Sequence, residues 1–198
     1  ICRPLASTMG IEKMRRILDT LYQAALYASA LCLVAIALMV GVQLAGRMLD
    51  GTLALIGLPR TDFVILSLNE ICGFLLAGAS FLALAGTLKS GAHIRVTMVL
   101  GMFGEPTRRY IEIWAFGFAA AASGYMTYQL VNFAWVSLRF NEVSNGVIRV
   151  PLALPQAAMA LGALMLTVAL IDELVIVLRG GRPTFRKAED AITLGKEG

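Results

Sequence analysis

A single acid, Glu70, interrupts a long uncharged stretch between Phe63 and Leu88. A carboxyl group inside such a stretch can bind a proton or a cation, because ionisable side chains at membrane depth are costly and usually functional. Glu70 also lies only about 12 Å along a helix from Asp62, at 1.5 Å per residue, so it falls in the outer half of a bilayer. There it can instead pair with Asn69, a neighbouring helix or interfacial water. From the residues alone, both a coupling role and a structural or partner-contact role stay open.

The other groups that could do chemistry are few and scattered. His93 is the only histidine, so neither bis-histidine haem ligation nor a typical zinc site can be assembled. Asp172 and Glu173 lie near the end of an apolar stretch, where acids reach the headgroup region or pair with basic residues. The three cysteines form no CxxC pair, and the motifs HExxH, GxSxG and the phosphate-binding loop do not occur. The sequence therefore predicts no catalytic, metal-binding or cofactor-binding residue, and we do not expect an enzyme.

Membrane spans are the elements that must position these residues. Of the 198 residues, 58% are hydrophobic and 15% are charged, and the mean hydropathy is +0.75. Soluble domains have roughly 45–50% apolar and about 25% charged residues. The net charge of +4 does not indicate a nucleic-acid partner, because that inference needs a basic stripe on a folded soluble surface. We expect an integral membrane protein.

Four apolar stretches are long enough to cross a bilayer, which takes about 20 residues for a helix. We predict one all-α membrane domain over 1–198, with a short connection over 47–61 and a flexible tail over 180–198. The apolar residues of 93–104 are too few to cross, so they predict a short amphipathic surface helix between spans two and three. The four predicted transmembrane helices are residues 21–46, 63–88, 110–138 and 151–178.

The basic residues predict the orientation. Thirteen of the 17 Lys and Arg residues fall in the N-terminal segment, the connection after span two and the C-terminal tail. Lys and Arg accumulate on the cytoplasmic side of membrane proteins. We therefore expect both termini and His93 to be cytoplasmic, with the connections 47–61 and 139–149 on the other side.

Small residues spaced four apart recur in the spans. Such rows let helices approach closely, and no helix shows the interruption that is typical of a midplane substrate site. We therefore expect a chain that packs against other helices and is poorly equipped to transport alone. The rows include Gly41 with Ala45, Gly73 with Ala77, Gly117 with Ala121, and Ala158 with Gly162.

Three features together resemble a known family: the early Glu70 of span two, the turn Lys89-Ser90-Gly91-Ala92-His93-Ile94-Arg95-Val96, and the start of span four at Pro151 to Pro155. The chain is similar to the small membrane subunit, the Q-type or DctQ-like component, of tripartite ATP-independent periplasmic (TRAP) transporters. The likeness covers roughly residues 21–178.

The most specific part of the likeness is Gly91 to Val96. Family members often have a second Gly at the position of Ala92 and an Asp at the position of Thr97. These departures weaken any claim of a polar contact at Thr97 and leave His93 and Arg95 untouched.

The resemblance implies the function and the partners. A small permease subunit would scaffold a large multi-helix TRAP membrane subunit, which carries the sodium-coupled pathway for organic acid (carboxylate) uptake. A periplasmic substrate-binding protein would deliver the substrate. The implied location is the bacterial inner membrane, among lipids, and no cofactor is implied.

The resemblance also gives the candidate residues their roles. Glu70, His93 and Arg95 are expected to make structural or partner contacts, His93 and Arg95 by tying the surface helix to headgroups or to the large subunit. Charged residues on the periplasmic side are expected to touch the binding protein: Arg47, Asp50, Arg60, Arg139 and Glu142.

Two alternatives belong to other classes of protein. One is a small homodimeric proton-coupled exporter in which Glu70 binds the proton. The outer-half position of Glu70 and the long surface connection argue against it. The other is an assembly or signalling protein without a role in transport.

Overall fold

The computed structural model of the protein describes residues 5–59, 61, 63–89 and 105–180. These residues form four α-helices and no strand: α1 (Leu5–Leu55), α2 (Leu68–Lys89), α3 (Glu105–Arg139) and α4 (Ala153–Leu178). The predicted all-α class is confirmed for this part of the chain. The predicted surface helix over 93–104 lies outside the described residues, as does nearly all of the predicted tail.

Three of the four helices are long and apolar enough to cross a membrane. Among the described residues, the candidate spans are Leu18–Leu55, Leu68–Leu88 and Ala153–Leu178. Helix α3 has 35 residues, about 52 Å at 1.5 Å per residue, so it is also long enough. Its Tyr, Gln and Asn side chains lower its hydropathy, and it is not among these candidates. The predicted count of four spans therefore depends on α3.

Helix α1 continues well beyond the predicted first span. It ends at Leu55, where Gly57 adopts a positive φ of 76°. The Leu58 N–H donates to the Leu53 carbonyl at 3.0 Å, the backbone pattern of a Schellman C-cap. Helix α1 therefore continues through the first part of the predicted connection 47–61, because charged residues mark the edge of an apolar stretch and do not end a helix.

Helix α2 begins five residues after the predicted start of span two. Ser67 has a positive φ of 56°, which is uncommon for a residue with a side chain, and the helix begins at Leu68. The Ser67 carbonyl accepts the N–H groups of Glu70 and Ile71 at 3.1 and 3.0 Å. Glu70 therefore lies in the first turn of α2.

The helices pack in the order α1, α2, α4, α3, and the extensive interfaces are those between consecutive members of this row. Helices α1 and α2 are antiparallel, with Leu26 against Gly86 near one end. Helices α2 and α4 run in the same direction, with an ideal Cβ at Gly78 lying 3.6 Å from Ala158 Cβ. Helices α1 and α3 form the two edges of the row.

Gly162 permits the closest approach between α2 and α4. Any side chain at this position would overlap the backbone of Phe81. The small-residue row of α4, Ala158 and Gly162, is therefore used within the protein, as the sequence predicted. In contrast, a Cβ added at Gly41, Gly73 or Gly117 would meet nothing within 4 Å.

A polar cluster joins α3 to α4. The Thr167 hydroxyl lies 2.8 Å from the Ser123 hydroxyl and 3.0 Å from the Thr127 hydroxyl. Thr127 and Thr167 also donate to the carbonyls of Ser123 and Ala163 one turn earlier, both at 2.9 Å. Hydroxyl groups bonded in this way between helices need no water, so the cluster is compatible with a membrane interior.

The row has two distinct ends. The end that we call the Tyr22 end contains a buried cluster of Tyr22, Ala85 and Ala169, contributed by α1, α2 and α4. The opposite end, the Glu70 end, contains the last turns of α1, the first turn of α2 and the loop 140–152 between α3 and α4.

Candidate partner-binding sites at the two ends of the row

The loop 140–152 at the Glu70 end is organised around one buried serine, Ser144. Its N–H donates to the Val150 carbonyl at 2.9 Å, and its hydroxyl donates to the Ile148 carbonyl at 3.2 Å. The same hydroxyl accepts the Val150 N–H at 3.3 Å, and an isolated bridge pairs Val143 with Pro151. The loop is therefore bonded internally before it contacts any other element.

This loop is fastened to the start of α2. The Ile148 N–H donates to the Ser67 hydroxyl at 3.1 Å. The Glu70 carboxylate lies directly against Gly146, and any side chain at residue 146 would overlap Glu70 Oε2. That oxygen is buried and has no hydrogen-bond partner among the described residues. Asn69, one of the possible partners of Glu70 in the sequence, is exposed.

The segment before α2 is fastened to α1. The Ile65 N–H donates to Oε1 of the buried Gln43 at 2.7 Å. Asp50 Oδ1 accepts the Thr61 N–H at 2.8 Å and also the Thr61 hydroxyl. A shallow groove between the two segments is lined by polar and apolar groups that include Gln43, Arg47, Ser67 and Asn69.

The structure brings Glu70 and four of the five predicted binding-protein contacts to this one end. Arg47 and Arg139 are exposed. Glu142 Oε2 accepts the Ser137 hydroxyl at 2.7 Å, and Asp50 is held by Thr61. The fifth, Arg60, lies outside the described residues, as do His93 and Arg95. The four that are described are Arg47, Asp50, Arg139 and Glu142.

Glu142 also takes part in the end of α3. Asn141 has a positive φ of 50°, and the Glu142 N–H donates to the Ser137 carbonyl at 2.9 Å. This is the same capping pattern as at the end of α1, with Asn in place of Gly. The side chain and backbone of Glu142 are thus both bonded to Ser137.

Acidic side chains are buried at the Tyr22 end. Glu173 is 2% exposed and Glu112 is 4% exposed. Tyr22 lies within electrostatic range of Asp19, Asp172 and Glu173. Of the two expectations for Asp172 and Glu173, contact with headgroups or pairing with basic residues, the first does not suit Glu173, because this side chain is buried in the row. Nearby, Arg109 Nη2 donates to the Leu178 carbonyl at 3.2 Å.

Sequence reasoning missed the residues that connect the segments. The Asn145-Gly146 pair is a turn signal, but nothing in it indicates that Glu70 fills the space above the glycine. Ser123, Thr127 and Thr167 carry a weak signal, because hydroxyl residues in apolar spans commonly bond between helices. No group of three or more His, Cys, Asp or Glu residues in the described ranges could hold a metal ion, and Cys32 and Cys72 are free thiols.

Three of the described helices have the length and composition of membrane spans and pack in a row, which defines a multi-pass α-helical membrane protein. The family model described as "Tripartite ATP-independent periplasmic transporters, DctQ component" matches residues 58–180, more than half of the chain. The chain belongs to this family. The matched range begins just after α1 and includes α2, α3 and α4.

The family assignment confirms the resemblance found in the sequence. DctQ proteins are components of transporters and not a family of enzymes, and the assignment does not favour the homodimeric exporter. Comparison with curated proteins and with solved structures gave no match.

Proposed function

We propose that this chain is the small permease subunit of a TRAP transporter of the bacterial inner membrane. In this role it scaffolds the large membrane subunit and helps to dock the periplasmic binding protein during sodium-coupled uptake of an organic acid. The observation that carries the proposal is the family match over residues 58–180. In this assembly α3 crosses the membrane as the fourth span, both termini are cytoplasmic and the Glu70 end is periplasmic.

The bonding at the Glu70 end supports the scaffolding role. Gln43 ties α1 to the segment before α2, and Ser67 ties that segment to the loop 140–152. A transport domain that moves through the bilayer needs a rigid body to move against. Connections that are bonded to one another resist the shear that such movement would apply. Within this body, Glu70 has a structural role, filling the space between α2 and Gly146.

The exposed charges at the same end support a docking role. Arg47 and Arg139 have free access to solvent, whereas Asp50 and Glu142 already accept hydrogen bonds within the chain. We therefore assign the larger share of binding-protein contact to the two arginines, with Asp50, Glu142 and Arg60 completing the surface. His93 and Arg95 are assigned to contacts with lipid headgroups or the large subunit.

Purification from native membranes tests the assignment. The C-terminal tail is tagged, the membranes are extracted gently, and native mass spectrometry identifies what is bound at one-to-one stoichiometry. We expect a large polytopic subunit. A bare homodimer would contradict the proposal.

Uptake in proteoliposomes tests docking separately. With the binding protein and a sodium gradient supplied, Arg139→Glu should reduce uptake while the complex of the two membrane subunits stays intact. The matched control is Arg179→Glu, an exposed arginine just after the last helix at the opposite end of the row. Equal uptake by the two variants would remove Arg139 from the docking surface.

A further inference from the structure

The outward face of α3 differs from every other exposed face of the row. Large aromatic side chains project from it along most of its length, each about two-thirds exposed: Trp114 68%, Phe118 73%, Tyr125 67%, Tyr128 68% and Trp135 65%. Ala121 and Asn132 are exposed on the same face. When these two residues are included, successive positions along the face are alternately four and three residues apart. We call the set 114, 118, 121, 125, 128, 132 and 135 the α3 seam.

The spacing of the α3 seam is that of a helix-packing surface. Alternate steps of four and three residues place side chains in one line along a helix, as at the a and d positions of a coiled coil. The opposite side of α3 carries Ser123 and Thr127, which bond to Thr167 of α4. The α3 seam therefore points away from the rest of the protein along most of its length, and only Trp135 also borders a groove against α4.

The polar groups of this seam make lipid an unsuitable occupant. Tyr125 lies near the middle of the uncharged stretch 113–138, and Asn132 is about 10 Å further along the axis, inside a hydrocarbon half-thickness of about 15 Å. Gln129 donates to the Tyr125 hydroxyl at 2.7 Å. The Tyr128 hydroxyl and the Asn132 amide form no hydrogen bond among the described residues. Hydrocarbon offers these groups no partner, whereas another helix can.

The opposite edge of the row provides the contrast. At similar depth, α1 exposes mainly aliphatic side chains, among them Leu31 at 71%, Val34 at 54% and Leu38 at 64%, and one aromatic side chain, Tyr27 at 77%. The aliphatic side chains need only acyl chains around them. Aromatic residues are enriched at the two membrane–water interfaces, which accounts for the exposure of Trp114 and Trp135 near the ends of α3. This enrichment does not account for Tyr125, Tyr128 and Asn132, which lie between them.

The surface also has a recess that suits a helix. Ala121 separates Phe118 from Tyr125, and beside it a Cβ at Gly117 would meet nothing within 4 Å. Small residues spaced four apart allow two helix backbones to come close, with the flanking aromatic rings packed on either side. The small-residue row of α3 thus lies open on the edge that carries the polar groups.

We infer that the α3 seam is the surface that binds the large membrane subunit, and that the occupant is a transmembrane helix of that subunit presenting hydrogen-bonding side chains to Tyr125, Tyr128 and Asn132. This inference rests on the proposed function and adds which edge of the row faces the partner. The α1 edge faces lipid.

Site-specific photo-crosslinking in membranes tests the inference on the assembled protein. The photoreactive residue p-benzoyl-L-phenylalanine replaces Phe118 or Tyr128 in α3 and, as matched controls, Val34 or Leu38 in α1, with the large subunit co-expressed. Because crosslinking requires contact, the α3 positions should give at least about tenfold more adduct with the large subunit than the α1 positions. Equal yields from the two edges, or adducts made only of two copies of this chain, would overturn the inference.

A pair of bulky variants provides a second measurement. Ala121→Leu should weaken one-to-one co-purification with the large subunit about tenfold, because the added atoms fill the recess. Ala37→Leu, an exposed alanine of α1, should leave co-purification unchanged. If the unaltered chain retains the large subunit and both variants do so equally, only the choice of edge is wrong. If the unaltered chain retains no large subunit, the proposed function fails and the inference fails with it.

Discussion

Glu70 and Gly146 are in direct contact, so that the carboxylate of one occupies the space where the other would carry a side chain. They belong to elements separated by the whole of α3, and the contact is reinforced by the hydrogen bond from Ile148 to Ser67. The acid that stands out in the sequence is thus part of a joint between the start of α2 and the loop 140–152. The contacts around Glu70 predict how substitutions at this joint will affect stability and uptake.

Gly146→Ala should loosen this joint. The added methyl overlaps Glu70 Oε2 and lies 3.0 Å from the Ser67 hydroxyl, so the Glu70 side chain must turn out of the joint. Because the end of a flexible side chain can move, we expect the low end of the overpacking cost, about 1 kcal/mol, which corresponds to a Tm decrease of a few degrees. Thermal unfolding in detergent measures it. Gly41→Ala, at an open helical position, should show no decrease, and equal Tm values for the two variants would contradict the contact.

Glu70→Gln separates a structural acid from a coupling acid. The amide keeps the shape of the side chain and removes a charge that has a buried oxygen without a hydrogen-bond partner in the described structure. Burial of an unpaired charge is unfavourable, so the variant should be at least as stable as the unaltered protein. We expect uptake per assembled complex within about twofold of normal, because a packing role requires only the shape.

The matched change for this residue is Glu70→Ala. It should lower the Tm, because the space beside Gly146 is then empty, at a cost of about 1–2 kcal/mol. Loss of uptake by Glu70→Gln in an intact complex would instead show that the residue binds the coupling proton.

Gly162→Ala should separate α2 from α4. Its methyl group would overlap the backbone of Phe81, which cannot turn aside as a side chain can. The expected loss is about 2 kcal/mol or more, seen as lower Tm and a broader elution profile in size-exclusion chromatography. Gly73→Ala in α2 is the control, since its added methyl faces open space. A normal Tm for Gly162→Ala would mean that the two helices lie further apart.

The hydroxyl cluster between α3 and α4 should show coupling. Ser123→Ala and Thr167→Val each remove a hydroxyl from the 2.8 Å pair. Interhelical hydrogen bonds in membranes contribute about 0.6 kcal/mol on average and up to about 1.7. The free energies of unfolding of the two single variants and the double variant form a cycle, in which we expect an interaction energy of at least about 0.5 kcal/mol. Strictly additive losses would show that the hydroxyls do not interact.

The sequence predicted where apolar stretches lie but not where helices begin and end. The drop in hydropathy at Arg47 predicts where the chain passes from hydrocarbon into headgroups and water. Helix α1 nevertheless continues to Leu55, because the hydrogen bonds of its backbone do not depend on that passage. Likewise, Phe63 begins an apolar stretch, but the left-handed backbone of Ser67 delays the helix to Leu68. The boundaries of α1 and α2 were set by local backbone conformation, which hydropathy does not record.

The candidate site was predictable only in part. Glu70 could be singled out because a lone acid in an apolar stretch is conspicuous, and counting charges predicted that Arg47 and Arg139 share a side. The contacts of Gln43 with Ile65 and of Ser67 with Ile148 join residues far apart in the chain. These contacts depend on how the helices pack, and no rule of sequence spacing predicts them.

The arrangement of the helices in a row makes the surroundings part of the stability of this protein. Each helix has extensive contact with no more than two others, so most of the chain faces outward on two broad sides. A row of this kind has little interior of its own to hold the helices in place. A bilayer surrounds them with a hydrocarbon core of nearly fixed thickness, about 30 Å, whereas a detergent micelle can adapt its shape and let them shift. Flat bilayer discs should therefore preserve the native geometry better than small detergent micelles do.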